Sequence, residues 1–353
     1  MLKRLIVFVV SGLFVIYGKG YTAQTSGVGF EGIRADGMGG AYTAIGEGYE
    51  GIFYNPAGLT KMKSGNLILP SLYLKGNQDA VTYLLNRKDS AQYRTKEDVS
   101  KLIGLVGSSK GTVLAGIIKP SWALNFYTVA DAVFFCADMG PDFHYLEDWY
   151  IQTDIGAIFS LAGGFPKIIP LLDISWGVNL KYIYRQAINM GFAFDYEPWY
   201  DGLWSYQTQF DPQHGWGIDA GVMCKVLGFV DVGVMFRDIF ARVGADTVPM
   251  NMAIGASTKL LNFITLSMDF VDLTSAQGDF LDKVKIGAEV NLLGFLKVRG
   301  GLSQKFPTLG AGITFLFLNV DYAFMGEKPI GQGGQALTQN SIGSHAVSCS
   351  LIF

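Results

Sequence analysis

The sequence predicts an all-β fold, and among such folds a transmembrane antiparallel β-barrel. Three observations lead there. Apolar residues recur at every second position through most of the chain. Beyond the first twenty residues, no apolar run reaches the roughly 20 residues that a membrane-spanning helix needs. Connections between the alternating runs are short on one side and long on the other, and the chain stops on an aromatic residue, Phe353. Composition agrees. The 353 residues are 50% hydrophobic and only 16% charged, with 45 glycines, whereas soluble domains carry about 25% charged residues. Two architectures fit: a large buried β domain, or a barrel that takes lipid as its apolar partner.

Taken in order, Lys3 and Arg4 precede the apolar run Leu5 to Tyr17, and the small residues Gly18 and Gly20 follow. A short basic region, an apolar core and small residues describe an export signal. Residues 1–20 are therefore expected to be cleaved near Gly20 or Ala23. An uncleaved anchor is the other reading, but the run is short for one and has no stop-transfer flank.

Period two then dominates. From Leu172 to Tyr184 the apolar set is Leu172, Ile174, Trp176, Val178, Leu180, Tyr182 and Tyr184, interleaved with Asp173, Ser175, Gly177, Asn179 and Lys181. Alternate side chains of a strand point to opposite faces, so one face is continuously apolar and the other mostly polar. At roughly 3.3 Å per residue and a tilt of about 40°, the run covers about 30 Å, enough to cross an outer-membrane barrel's apolar band. Trp216 to Val226, Val284 to Leu292 and Leu296 to Arg299 repeat the pattern, with glycines and sparse charges on the second face. A soluble sandwich would need more charge on its outer faces. A barrel with a narrow, polar, partly filled lumen fits better.

The turns Val226-Leu227-Gly228-Phe229, Leu260-Leu261-Asn262-Phe263 and Leu292-Leu293-Gly294-Phe295 look like one repeated hairpin unit. The longer segments 186–213, 238–249, 273–282 and 326–343 are expected at the opposite end, an asymmetry typical of outer-membrane barrels. Val347, Cys349, Leu351 and Phe353 alternate with smaller residues, as in the terminal strand that barrel-insertion machinery reads. About fourteen or fifteen candidate strands lie between Leu67 and Phe353. Thr95 to Leu105 has a capping-box-like start and apolar residues at helical spacing, so a short helix is expected in an external loop. Pro120 either bends a strand or ends one at a turn.

Chemistry is sparse. Cys136, Cys224 and Cys349 form no CxxC pair, and His144, His214 and His345 are scattered, which suggests neither a disulfide framework nor a metal site. Net charge of −3 gives no basic footprint for nucleic acid. Gly37–Gly40 lacks the spacing and flanking strand of a dinucleotide fingerprint, and no Walker lysine follows. No cofactor and no enzymatic activity are expected. The stretch 192–206 concentrates Phe192, Phe194, Tyr196, Trp199, Tyr200 and Trp204. It is either a self-packed outer loop or aromatic belt, or a mouth that collects apolar ligands.

One stretch is more specific. Ile33 to Leu59, IRADGMGGAYTAIGEGYEGIFYNPAGL, resembles the N-terminal pattern of the FadL-like outer-membrane transport proteins, a superfamily that includes TodX, PorV-type proteins of Bacteroidetes and a spirochaete branch. The matching residues are Arg34, Gly37, Met38, Gly39, Gly40, Ala41, Ala44, Tyr54, Asn55, Pro56, Ala57 and Gly58. The resemblance implies a barrel of 14 strands from about residue 66 to 353, with residues 21–65 as an N-terminal hatch inside the lumen. Gly37, Gly39, Gly40, Asn55, Pro56, Ala57 and Gly58 would carry the gating. It further implies an integral protein of the bacterial outer membrane for passive uptake of long-chain fatty acids, hydrocarbons or similar hydrophobic molecules. Its remaining partners would be outer-membrane lipid and, through Phe353, the insertion machinery. A PorV-like scaffold that binds protein partners without transporting is the alternative.

Overall fold

The structure, a computed structural model, describes residues 30–86, 101–138, 145–166, 172–194, 204–275, 279–327 and 342–353. Its strands are β1 (Asn66–Asn77), β2 (Val106–Ile118), β3 (Trp122–Asp138), β4 (Tyr145–Gly164), β5 (Leu172–Phe194), β6 (Trp204–Gln209), β7 (Gln213–Val226) and β8 (Val230–Arg237). There follow β9 (Ala241–Val243), β10 (Asp246–Val248), β11 (Asn251–Leu260), β12 (Ile264–Phe270), β13 (Val284–Leu292), β14 (Leu296–Ser303), β15 (Phe306–Phe315), β16 (Leu318–Glu327) and β17 (Ile342–Ile352). All pair antiparallel in one sheet.

Three places in the wall are each shared by two strands in line. β5 pairs with β6 near its end and with β7 along the rest; β7 meets β8 and then β9; β10 and β11 face β9 and β8. The seventeen strands therefore occupy 14 wall positions, and β1, paired with both β2 and β17, closes the ring. The last residue makes the seam: Phe353 N donates to Leu67 O at 2.9 Å and Leu67 N to Phe353 O at 2.8 Å. The Phe353 ring stacks on Phe317, centroids 5.0 Å apart.

The faces are inverted relative to a protein folded in water. On β5, Ile174, Trp176, Val178, Leu180 and Tyr182 are exposed, while Gly177, Asn179, Lys181 and Arg185 are buried. On β14, exposed Val298 neighbours buried Arg299. Polar and charged groups are buried on the inward face and large apolar ones cover the outside, the reverse of the usual distribution. Lipid is the solvent that such an exterior requires.

The wall is uneven in height. β5 has 23 residues and β12 has 7, or about 75 Å and about 23 Å of strand. Tilted by about 40°, the shorter one spans about 18 Å, less than the apolar band of about 25 Å. The short side is completed by its turns. Leu227, Leu261, Leu293 and Leu316 adopt φ of 53°, 50°, 54° and 54°, a left-handed conformation that costs a residue with a Cβ roughly 1–2 kcal/mol. They are 56–86% exposed, and each tip also carries an exposed phenylalanine: Phe229, Phe263, Phe295 or Phe317. Such tips extend the lipid-facing surface of strands too short to provide it.

Several expectations change. Segment 186–213 is largely strand, because β5 continues to Phe194 and β6 pairs with it. Beyond the apolar band the simple alternation breaks while the ladder continues: Ala187 and Ile188, on opposite faces of β5, are both buried. Segment 238–249 holds the β9–β10 hairpin. Residues 95–100 lie outside the described residues and 101–104 form a turn; a helix stands instead at α3 (Gln78–Asn86), after α1 (Ile33–Gly37) and α2 (Gly48–Tyr54) of the N-terminal segment. Its Tyr83 packs on Phe134 and Trp149 and hydrogen-bonds Glu147. Pro120 lies in the β2–β3 turn, where Lys119 N donates to Trp122 O at 2.8 Å. Pro70 instead sits at the one register shift of β1, between Ile68 and Ser71, where a ladder tolerates proline.

The lipid placement of the tips is testable. In a background without Cys136, Cys224 and Cys349, an environment-sensitive dye on Leu293→Cys should emit blue-shifted and be quenched by doxyl-labelled lipids. Emission at the position seen in water would place the turn outside the bilayer.

Candidate functional site

Residues 30–65 form α1 (Ile33–Gly37), α2 (Gly48–Tyr54) and a 3-10 turn (Pro56–Lys61). Asn55 starts the last of these: its Oδ1 accepts from Ala57 N at 3.1 Å, and Pro56 takes the first helical position, where a missing N–H costs nothing. The Asn55 amide then donates to Thr43 O at 3.1 Å and, across to the wall, to Val222 O at 3.3 Å and Val234 O at 3.4 Å. One side chain thus shapes its own segment and fixes it to two strands.

The segment is bound to inward-facing residues around most of the ring, so it occupies the lumen. Arg34 makes a fork with Glu289 of β13, Nε to Oε2 at 2.9 Å and Nη2 to Oε1 at 2.7 Å. Glu289 also accepts from Arg299 Nε at 2.7 Å, and Arg299 Nη1 reaches Asp321 at 2.6 Å. Asp269 of β12 accepts the N–H groups of Tyr42 and Thr43 on one oxygen, both at 2.7 Å. Asn179 of β5 donates to Ile52 O at 2.8 Å, and Lys61 pairs with Asp231 of β8 at 3.1 Å. Hydrogen bonds to charged groups contribute about 1.5–3 kcal/mol each, and bidentate forks fix geometry as well.

At a further set of contacts backbone fits against backbone, because the wall there carries glycine. A Cβ on Gly287 would stand 2.4 Å from Met38 O, and one on Gly221 would stand 2.1 Å from Asn55 Oδ1. Gly177, Gly233, Gly301 and Gly310 face Ala57, Thr43, Met38 and Gly37 in the same way. On the segment, Gly39 has φ of 66° and lies so close to the Leu302 and Ile286 carbonyls that a Cβ would meet them at 2.5 and 2.7 Å.

The lumen has two characters. Towards β12–β16 it is ionic, as described. Towards β1–β4 it has an apolar level, where Ile52, Phe53 and Leu59 pack on Ile68, Leu114, Ile118, Tyr127 and Ile158, joined by Phe30, and a charged one, where Glu31 pairs with Lys75 of β1 and Lys110 of β2. Phe30 stacks on Phe53 with centroids 3.7 Å apart.

Charges within the segment are strongly perturbed. Burial, reinforced by the charge of Glu31, pushes the Asp36 carboxyl up to about 7. Burial also raises Glu50 to about 7, with the charge of Asp321 adding to it and Arg299 opposing. Glu50 accepts from Ile33 N at 3.2 Å and Arg34 N at 3.3 Å, and Asp36 from Tyr73 Oη at 2.7 Å. Glu31 goes the other way: burial opposes its charge, but Lys110 and Lys75 at 2.7 and 3.0 Å hold it well below the carboxylate range.

The structure sets Gly37, Gly39 and Gly40 against β13–β15 and Asn55, Pro56 and Ala57 against β5 and β7, whereas Gly58 packs on Gly46 of the segment itself. Of the aromatic stretch, Phe192 and Phe194 end β5 and Trp204 opens β6; their side chains, and all of Tyr196, Trp199 and Tyr200, lie outside the described residues. Sequence reasoning missed the wall partners Asp269, Glu289, Arg299 and Asp321. The available signal was an isolated charge on the glycine-bearing face of an apolar strand.

No protein-family model matches the sequence, and no curated protein matches it. Solved structures do. A "TodX deltaS2S3 mutant monoaromatic hydrocarbon channel" superposes with TM-score 0.50 at 11% identity, over 91% of this chain and 98% of that one. The "TodX monoaromatic hydrocarbon channel deltaS2 mutant" does so with TM-score 0.50 at 10% identity, over 91% and 97%. The chain has the barrel fold of these two structures. A Pseudomonas aeruginosa FadL homologue also matches, with TM-score 0.48 at 11% identity over 96% and 99%. At these identities the FadL-type likeness concerns the fold, and substrate must be argued from the site.

Two outcomes follow from the seat. Asp269→Ala leaves two buried N–H groups without an acceptor and should weaken seating by about 3 kcal/mol, read as faster protease cleavage within 38–45 of an otherwise heat-modifiable barrel. For pH, unseated Asp36 and Glu50 titrate near 4 and seated ones near 7. The seated state binds more protons between these values, so seating weakens as pH rises from about 4 to about 7 and changes little above. Amide exchange of residues 30–61 should be more protected at pH 5 than at pH 8 after correction for intrinsic rates. Asp36→Asn should narrow that gap, and an unchanged gap would assign the dependence elsewhere.

Proposed function

We propose that this chain is an outer-membrane channel for passive uptake of hydrophobic small molecules, such as long-chain fatty acids or hydrocarbons, with the N-terminal segment as its hatch. The observation that carries this reading is the two-sided seat. The hatch is held by hydrogen bonds and ion pairs at most of its contacts, while against Ile68, Leu114, Ile118, Tyr127 and Ile158 it covers apolar wall with its own apolar side chains. An entering hydrophobic molecule has something to compete for. The fold likeness supports the reading, since two of the similar structures are monoaromatic hydrocarbon channels. An N-terminal export signal, an apolar exterior and the terminal Phe353 are consistent with an outer-membrane barrel placed by insertion machinery. The aromatic stretch from Phe192 to Trp204 then serves as the collecting mouth, and the polar seat around Gly37–Gly40 and Asn55–Gly58 as the gate.

Purified protein in liposomes should give saturable, energy-independent uptake of labelled oleate or toluene. Gly287→Val, which forces the Met38 backbone off the wall, should change that rate several-fold while the barrel still inserts. Uptake equal to that of protein-free vesicles would overturn the channel reading. Loss of insertion by Gly287→Val would make the segment a folding element rather than a gate.

A further inference from the structure

One cluster on the outer face is unused by the channel reading. Across β5, β7 and β9, the residues side by side at one level are Tyr182, Trp216 and Arg242: Tyr182 pairs with Trp216, and Trp216 with Arg242. His214, two residues from Trp216, pairs with Tyr184. Tyr182 Oη and His214 Nδ1 are 2.7 Å apart, and the Tyr184 ring centroid is 5.2 Å from that of the imidazole. These side chains point outward, because their neighbours Lys181, Ile183, Gly215, Gly217, Ala241 and Val243 are the buried ones.

The level of the cluster is the edge of the apolar band. Counted from Leu172, where β5 begins, Tyr182 stands about 25 Å up a strand tilted by about 40°. Ile174, Trp176, Val178 and Leu180 cover the strand below it, and Gln186 lies beyond Tyr184. Arg242 is exposed and, among the described residues, makes no ion pair or side-chain hydrogen bond. An arginine on the lipid face costs about 2–4 kcal/mol at mid-bilayer and about 0–1 near the interface. A guanidinium at the band's edge presents a planar fork that matches a phosphate. Where the Tyr182 hydroxyl donates to Nδ1, the His214 imidazole carries a proton on Nε2 and offers a second donor.

We propose that Tyr182, His214, Trp216 and Arg242 form a binding site for the phosphate of a lipid headgroup in the outer leaflet. This placement rests on the orientation of the channel reading, with the long connections outside. Arg242 pairs with the phosphate, His214 donates to it, and Trp216 and Tyr182 flank the upper part of the acyl chains. The barrel contains its own control. Tyr322 Oη and His345 Nδ1 are also 2.7 Å apart, with the Phe324 and imidazole centroids 5.3 Å apart. There the neighbouring positions on β15 and β1 are Leu309, Ala311, Leu74 and Gly76, with no cation.

Native mass spectrometry of the full chain tests the site with three probes: dioleoylphosphatidylglycerol, dioleoylglycerol with the same tails and no phosphate, and inorganic phosphate. The wild type should retain the phospholipid under activation that strips dioleoylglycerol. Arg242→Gln should lower retention at least about tenfold, His214→Gln a few-fold, and His345→Gln not at all. Arg242→Lys, which keeps the charge and loses the fork, should fall between and serves if the glutamine variant does not insert. Equal retention of dioleoylglycerol, or unchanged retention after both Arg242 substitutions, would overturn the site. Displacement of the lipid by inorganic phosphate would make it a site for a soluble anion and overturn the lipid assignment. Absence of uptake with lipid retention intact would sink the channel reading and leave this one standing.

Discussion

Asp269 and Glu289 are carboxylates on the inner wall of a barrel jacketed in apolar side chains, and their partners include groups 226 to 255 residues away in sequence. Buried charge without partners is among the most costly things a fold can contain. The wall supplies part of the answer itself, because Arg299 bridges Glu289 and Asp321. The rest comes from the N-terminal segment, through the Arg34 fork and the N–H groups of Tyr42 and Thr43. Barrel and segment therefore share one electrostatic problem. The glycines of the wall are the steric condition for sharing it, since the N–H groups reach Asp269 only where strand and segment touch backbone to backbone.

The same division of labour explains the uneven wall. Strands β3–β5 are long and carry buried ion pairs on their inward face, such as Arg185–Asp154 at 2.6 Å and Lys181 with Asp219 and Asp238, both at 2.6 Å. Strands β12–β14 are short, and their inward charges are used to hold the segment. Shortness on that side is compatible with a membrane only because the tight turns are apolar, at the expense of leucines in left-handed backbone. Side-chain identity at the turn is set by the solvent around it, against the local preference of the turn for glycine or asparagine.

Much of this was legible in the sequence. Alternation fixed which face of each strand met lipid, and Leu172–Tyr184, Trp216–Val226 and Val347–Phe353 face as read. The limits of strands were legible only within the bilayer, where one face must be apolar. Beyond it Ala187 and Ile188 are both buried, and nothing in FAFDYEPWYDGLWSY marks a ladder. The seat was half legible. The glycine-rich stretch and Asn55-Pro56 announced a tightly packed backbone, but its partners are single charges on distant strands. No spacing rule links Arg34 to Glu289 or Tyr42 to Asp269; only closure of the ring does.

The two kinds of contact in the lumen differ in what can replace them. Towards β12–β16 the segment is held by the hydrogen bonds and ion pairs described, which water can replace at modest net cost, beside the apolar packing of Ile33 on Ala323 and Met325. On the apolar side, Phe30, Ile52, Phe53 and Leu59 cover wall residues that water cannot rehydrate without losing roughly 25 cal/mol for each Å² exposed. On the channel reading, water alone therefore leaves the segment seated, because unseating it wets that apolar surface. A hydrophobic molecule changes that balance, since it can take over the apolar contacts while water takes over the polar ones. On the channel reading, the solute that the lumen admits is also the one that offsets the cost of opening it.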